Sequence, residues 1–173
     1  RIGKYEVTNA QYTEFLNAVA TVSDPYNLYN EEMNDPWRGP GYYDEGAKII
    51  RSETPDGTFS YATGAGYENR PVGFVSWGDT LRFCNWMHNG QPTGVQDAST
   101  TENGAYTLDG QLIEGSAYAY PDGVSVTRND DAEWFLPNED EWYKAAFYDP
   151  NKDGGAGYYD YATGTDEDRK SVV

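Results

Sequence analysis

Cysteine and histidine are nearly missing from this sequence, with one of each in 173 residues: Cys84 and His88. A single thiol excludes an internal disulfide framework and any metal site built from several cysteines. Basic residues are also scarce, 12 Lys and Arg against 29 Asp and Glu, for a formal net charge of −17. The isoelectric point falls near 4.1. Such a balance argues against nucleic acid, which needs clustered Lys and Arg, and against anionic membrane surfaces. No apolar run approaches the roughly 20 residues that a membrane-spanning helix needs.

Aromatic side chains are what the chain has in quantity: 16 Tyr, 6 Phe and 5 Trp. Low mean hydropathy alone would suggest disorder, but this aromatic content opposes it. Rings with polar tips can fill a core while keeping hydropathy low. The length suits one domain, residues 1–173, with a core of its own. The chain starts at Arg1 and ends in Lys170-Ser171-Val172-Val173 behind a charged run, so the expectation is a domain truncated at its C-terminal end. The acidic surface fits a self-repelling, soluble exterior or one that collects cations.

Three helix starts share one pattern. Thr8 with Gln11, Ser76 with Asp79, and Asn138 with Glu141 each place a capping oxygen three residues before a side chain that can reach back to the cap. The first helix carries Tyr12, Phe15, Leu16 and Val19 at i, i+3, i+4, i+7. In the second, Trp77, Leu81, Cys84 and His88 share a face beside Phe83 and Met87. On that face a buried structural thiol fits Cys84, and a dipole partner or polar cap fits His88 at the C-terminal end. The third is entered through Trp134, Phe135, Leu136 and Pro137, and bears Glu139, Asp140 and Glu141 in its first turn. Its apolar face, Trp142, Ala145 and Ala146, needs cover from the rest of the chain.

The remainder reads as short strands and loops: Arg1–Val7, Arg70–Val75, Ala105–Leu108, Gln111–Ile113, Ser125–Arg128 and Glu133–Leu136. Lys48–Ile50 and Thr58–Tyr61 are expected to pair across the turn Thr54-Pro55-Asp56-Gly57, and Asp109-Gly110 is a second hairpin signal. Within 23–69, Tyr26, Tyr29, Trp37, Tyr42 and Tyr43 suggest an irregular segment that packs down. Tyr-Ala-Thr-Gly occurs at 61–64 and again at 161–164, a match too short to mark a repeat.

Three ordered segments carry a resemblance. They are Gly3-Lys4-Tyr5-Glu6-Val7-Thr8-Asn9-Ala10-Gln11-Tyr12 with Phe15-Leu16; Arg70-Pro71-Val72 through Val75-Ser76-Trp77 and Leu81-Arg82-Phe83-Cys84-Asn85-Trp86; and Leu136-Pro137 through Glu139, Glu141-Trp142 and Ala145-Ala146. Together they resemble the formylglycine-generating enzyme (sulfatase-modifying factor) domain, above all its secreted or surface-exposed bacterial relatives. The resemblance implies an α+β, C-type-lectin-like fold with three short helices, short antiparallel strands and much irregular loop, often holding calcium. It also implies, for the best-known members, oxidation of a sulfatase cysteine to formylglycine with molecular oxygen and copper held by two cysteines in the C-terminal half. Phe135 departs from the family, which often has Arg there, and Cys84 lies in a segment that is structural in the family. One thiol cannot supply the two soft ligands that select Cu(I), so copper is not expected on this chain. One histidine is too few for the family's iron-dependent sulfoxide synthases.

A calcium candidate stands apart from that. Asp149-Pro150-Asn151-Lys152-Asp153-Gly154 followed by Asp160 places Asp149, Asn151, Asp153 and Asp160 at the ligand spacing of an EF-hand loop, with Asp in the twelfth position. An ordinary Asx-rich turn explains the same residues. Glu31-Glu32, Asp130-Asp131 and Asp166-Glu167-Asp168 read as solvated charge. No catalytic or cofactor-binding residue is assigned. The expectation is a non-catalytic extracellular, cell-surface or periplasmic module that meets a protein or glycan ligand. The alternative is the N-terminal part of a copper-dependent oxidase whose cysteine pair lies outside this chain.

Overall fold

Three side-chain oxygens start the three helices. Thr8, Ser76 and Asn138 each hold extended backbone, and their oxygens accept from the N–H of Gln11, Asp79 and Glu141. The reciprocal bond of each capping box is also made, so two backbone donors at every helix start are satisfied locally. The computed structural model describes residues 2–34, 48–110 and 126–167. Among them α1 is Asn9–Val19, β1 Ile49–Glu53, β2 Phe59–Thr63, α2 Trp77–His88, α3 Glu139–Phe147, β3 Tyr148–Asp149 and β4 Gly157–Tyr158, with a 3-10 turn at Glu31–Asn34. The architecture is therefore mixed α+β with short antiparallel strands. No helix among the described residues is long and apolar enough to cross a membrane.

The described residues fall into two compact units, one within Lys4–Phe135 and the other within Leu136–Val173 with Arg1–Gly3. In the first, Tyr12, Phe15, Leu16 and Val19 of α1 meet Trp86 of α2, Ile49 of β1, Tyr61 of β2 and Leu28, Tyr29 and Met33. Phe15 lies 5.2 Å from Trp86 and 5.3 Å from Phe83 between ring centroids. Each tyrosine of this cluster donates its hydroxyl to a carbonyl: Tyr12 to Leu28, Tyr29 to Ile49 and Tyr61 to Ala20. Those bonds let rings with polar tips fill a dry interior. Burial pushes the Tyr61 phenol up to about 12.

The β1–β2 hairpin pairs Ile49 with Thr63 through Glu53 with Phe59, its strands beginning one residue after the expected Lys48 and Thr58 and running on to Glu53 and Thr63. Its turn closes with Gly57 at φ +82° and with the Thr54 and Thr58 hydroxyls on the Asp56 carboxylate. Several expected strands are reduced to single bridges. Among the described residues, the chain leaving Arg1–Val7 is bridged to Arg70–Val75 at Thr8 and Pro71, and Ala105–Leu108 is bridged to residues 126–128 at Tyr106 and Arg128. Glu133–Leu136 forms no strand. Side chains do the strand's work instead. Asn85 donates to the carbonyls of Thr101 and Tyr106 and accepts from the Tyr106 N–H at 2.7 Å. Asn17 treats Tyr61 the same way, donating at 2.8 Å and accepting at 3.0 Å. Asp109 and Gly110 both have positive φ, as a tight hairpin turn requires, but Gln111–Ile113 lies outside the described residues, as do Trp37, Tyr42 and Tyr43.

In the second unit, α3 buries none of its residues, contrary to the expectation that Trp142, Ala145 and Ala146 would be covered. A direct contrast follows. Trp86→Ala, at 2% exposure, is expected to cost about 3–5 kcal/mol in urea unfolding, whereas Trp142→Ala, at 52%, should cost about 0.5 kcal/mol or less.

Candidate functional site

A run of exposed rings lies on α3 and the turn after it in the second unit. Tyr143 and Phe147 are four residues apart, so the helix stacks them, at 4.6 Å between centroids and 23° between planes. Tyr158 continues the stack on Tyr143 at 5.3 Å and 21°. Its position follows from the β3–β4 pairing, which sets Tyr148 opposite Tyr158 with centroids 5.2 Å apart. Trp142 closes the other end, 6.0 Å from Phe147 and nearly perpendicular to it. Tyr143 is 46% exposed and Tyr158 44%. The aromatic pair at i, i+4 was the signal in the sequence for this run, and an apolar face drawn through the two alanines overlooks it.

The acidic turn between β3 and β4 has its own cation. The Lys152 ammonium donates to the Tyr158 carbonyl at 2.6 Å and to Asp166, whose two oxygens lie 2.9 and 2.8 Å away. It also sits 4.6 Å from the Tyr159 ring centroid. Asp166 accepts the Asp160 N–H at 3.0 Å, and the bond from Lys152, with this one, holds its carboxyl below the usual range. Asp149 accepts the Asn151 N–H at 2.8 Å in an Asx turn, and Gly154 and Gly155 turn the chain at φ +92° and +119°. Asp149 thus ends β3, Asn151 and Asp153 lie in the turn that follows it, and Asp160 lies beyond β4. The described residues contain no group of three or more His, Cys, Asp or Glu side chains placed to hold a metal ion. Asp166, read as solvated charge, is engaged by Lys152, and Glu31 is engaged by Arg51 at 3.3 Å. Asp168 lies outside the described residues.

In the first unit Asp79, Arg82 and Glu102 are buried and already employed. Arg82 forks onto Glu102 at 2.7 and 3.0 Å, and its guanidinium lies 3.8 Å from the Tyr26 ring centroid. Glu102 also accepts from the Thr101 hydroxyl and the Gly110 N–H. Twenty residues separate the two partners, so no local pattern announces the pair. Cys84 is buried on α2, and burial pushes its thiol up to about 11, so the thiolate needed for nucleophilic or metal chemistry is suppressed. His88 lies in the last turn of α2, and its Nδ1 accepts the Glu133 N–H at 3.1 Å. Phe135 lies under Arg128, 3.9 Å from its guanidinium.

A model of the sulfatase-modifying factor enzyme 1-like domain matches residues 1–172 of the chain. No curated protein and no solved structure matches it.

Asp79 gives a pH signature to this buried group. Burial raises its carboxyl to about 6, against the opposing bonds from Ser76 and the charge of Arg82. The folded state therefore holds this proton more tightly than the unfolded chain. The group's contribution to stability is full below pH about 4 and is lost as pH rises through about 6. Asp79→Asn keeps an oxygen to accept the Ser76 N–H at 2.8 Å and removes the charge. Relative to the parent it should gain on the order of 2–3 kcal/mol between pH about 4 and pH about 7 in urea unfolding. An equal difference at both pH values would contradict a buried, charged Asp79.

Proposed function

Because this chain belongs to the sulfatase-modifying factor enzyme 1-like family, we propose that it is a non-catalytic binding or structural module with the C-type-lectin-like fold, placed outside the cell, on its surface or in the periplasm. Its ligand is a protein or a glycan. The observation that carries this is Cys84. Cu(I) chemistry of the family's best-known kind needs two thiolates, and this chain has one cysteine, buried, with its thiol pushed up to about 11. The residues present therefore do not fit the copper site. The exposed rings and carboxylates of the second unit offer a surface for recognition rather than a cleft for chemistry.

The family match itself favours one alternative, the N-terminal part of a copper-dependent oxidase that converts a sulfatase cysteine to formylglycine with a cysteine pair outside these 173 residues. Downstream codons for such a pair in the reading frame support the alternative. Their absence supports the module.

Two measurements test the proposal on the chain itself. Titration of Cu(I) against a chromophoric chelator should leave the metal on the chelator, and stoichiometric transfer that Cys84→Ser abolishes would overturn the module. Calcium binding rests on the spacing of Asp149, Asn151, Asp153 and Asp160. A calcium-dependent rise in Tm that Asp153→Ala removes would place the ion there, and an unchanged Tm would exclude it.

A further inference from the structure

We propose that the aromatic, acidic face of α3 and the β3–β4 turn docks a basic polypeptide, with arginine preferred to lysine. This rests on the binding-module function above and names the chemistry of its partner. Residues 136–167 carry eight Asp and Glu against two Lys. Both lysines already lie over tyrosines, Lys144 on Tyr148 at 5.7 Å and Lys152 on Tyr159 at 4.6 Å. The face therefore presents rings beside an excess of carboxylates over lysines, and its charge complement is a cation.

The first unit shows how this protein holds a cation. Arg82 lies on Tyr26 and forks onto Glu102, and Arg51 lies 4.7 Å from Tyr29 and 4.9 Å from Phe59 with Glu31 beside it. In both, one guanidinium takes a ring and a carboxylate together. Trp142 repeats the two ingredients in the open: a half-exposed indole, with Glu139 one helical turn before it. Indole is the ring that attracts cations best, and a planar guanidinium can stack on it while forking onto a carboxylate. Phe147 and Tyr158 both stack on Tyr143, which engages the flat surface of that ring that a sugar would need. That favours a polypeptide partner over a glycan.

The test is Trp fluorescence and calorimetric titration of the whole chain with three peptides of equal length, Arg–Gly, Lys–Gly and Ser–Gly repeats, and with a neutral oligosaccharide. The Arg–Gly peptide should bind most tightly and the Ser–Gly peptide not at all. Trp142→Ala and Glu139→Gln should each weaken the Arg–Gly peptide roughly 3- to 30-fold, the span of a cation–π contact, with unchanged far-ultraviolet circular dichroism. Binding that falls with salt but ignores Trp142→Ala would be bare charge attraction and would overturn the proposal. Binding of the oligosaccharide in place of the peptides would also overturn it while leaving the module function standing. Loss of the module function shows separately, as copper held through Cys84.

Discussion

An asparagine amide can do for one residue what a neighbouring strand does for many, and this structure depends on that. Asn85 in α2 offers Tyr106 both halves of a backbone pairing, and Asn17 in α1 offers the same to Tyr61. Buried N–H and C=O groups must find partners, and in a chain with so little sheet most cannot find them in a ladder. Asn89 extends the pattern to the carbonyls of Thr100 and Asn103, and Asn129 to that of Gly104. Gly104 approaches Asn85 so closely that an added Cβ would sit 3.3 Å from its backbone, so the loop is pressed against the helix that clasps it. Each such bond adds about 1 kcal/mol net, but losing one partner leaves a buried group unsatisfied at a cost of about 1–3 kcal/mol.

Charge is handled with comparable economy. Every Lys and Arg among the described residues, eight in all, lies over an aromatic ring. The few cations are thereby shared between rings and carboxylates, and most acidic residues are left to set the surface potential. The two units use their aromatics in opposite ways. In the first, rings are buried and their hydroxyls bonded to carbonyls; in the second, rings stack on one another in the open. A buried, bonded ring stabilises a fold, and an exposed stack leaves its rings open to solvent.

The helices and the β1–β2 turn were legible because their causes are local. A capping oxygen and its partner three residues on, or Thr-Pro-Asp-Gly before a β-rich run, fixes backbone within a few bonds. Strands such as Arg70–Val75 and Ala105–Leu108 misled because their alternation is satisfied by single bridges and amide clasps. Tyr-Ala-Thr-Gly shows how little short patterns fix: at 61–64 it ends β2, where Gly64 donates to Lys48, and at 161–164 it makes a turn with Gly164 at φ +71°. The acidic spacing of the β3–β4 turn was visible, but not that Lys152 would fasten it to Asp166. The Arg82–Glu102 pair had no local signal at all.

Amide hydrogen exchange at Tyr106 tests the central claim most directly. The account predicts that this amide, bonded to the Asn85 side chain, exchanges as slowly as the interior amides of α2, and that Asn85→Leu exposes it while the α2 amides stay protected. Rapid exchange at Tyr106 in the parent chain, or protection that survives Asn85→Leu, would contradict it.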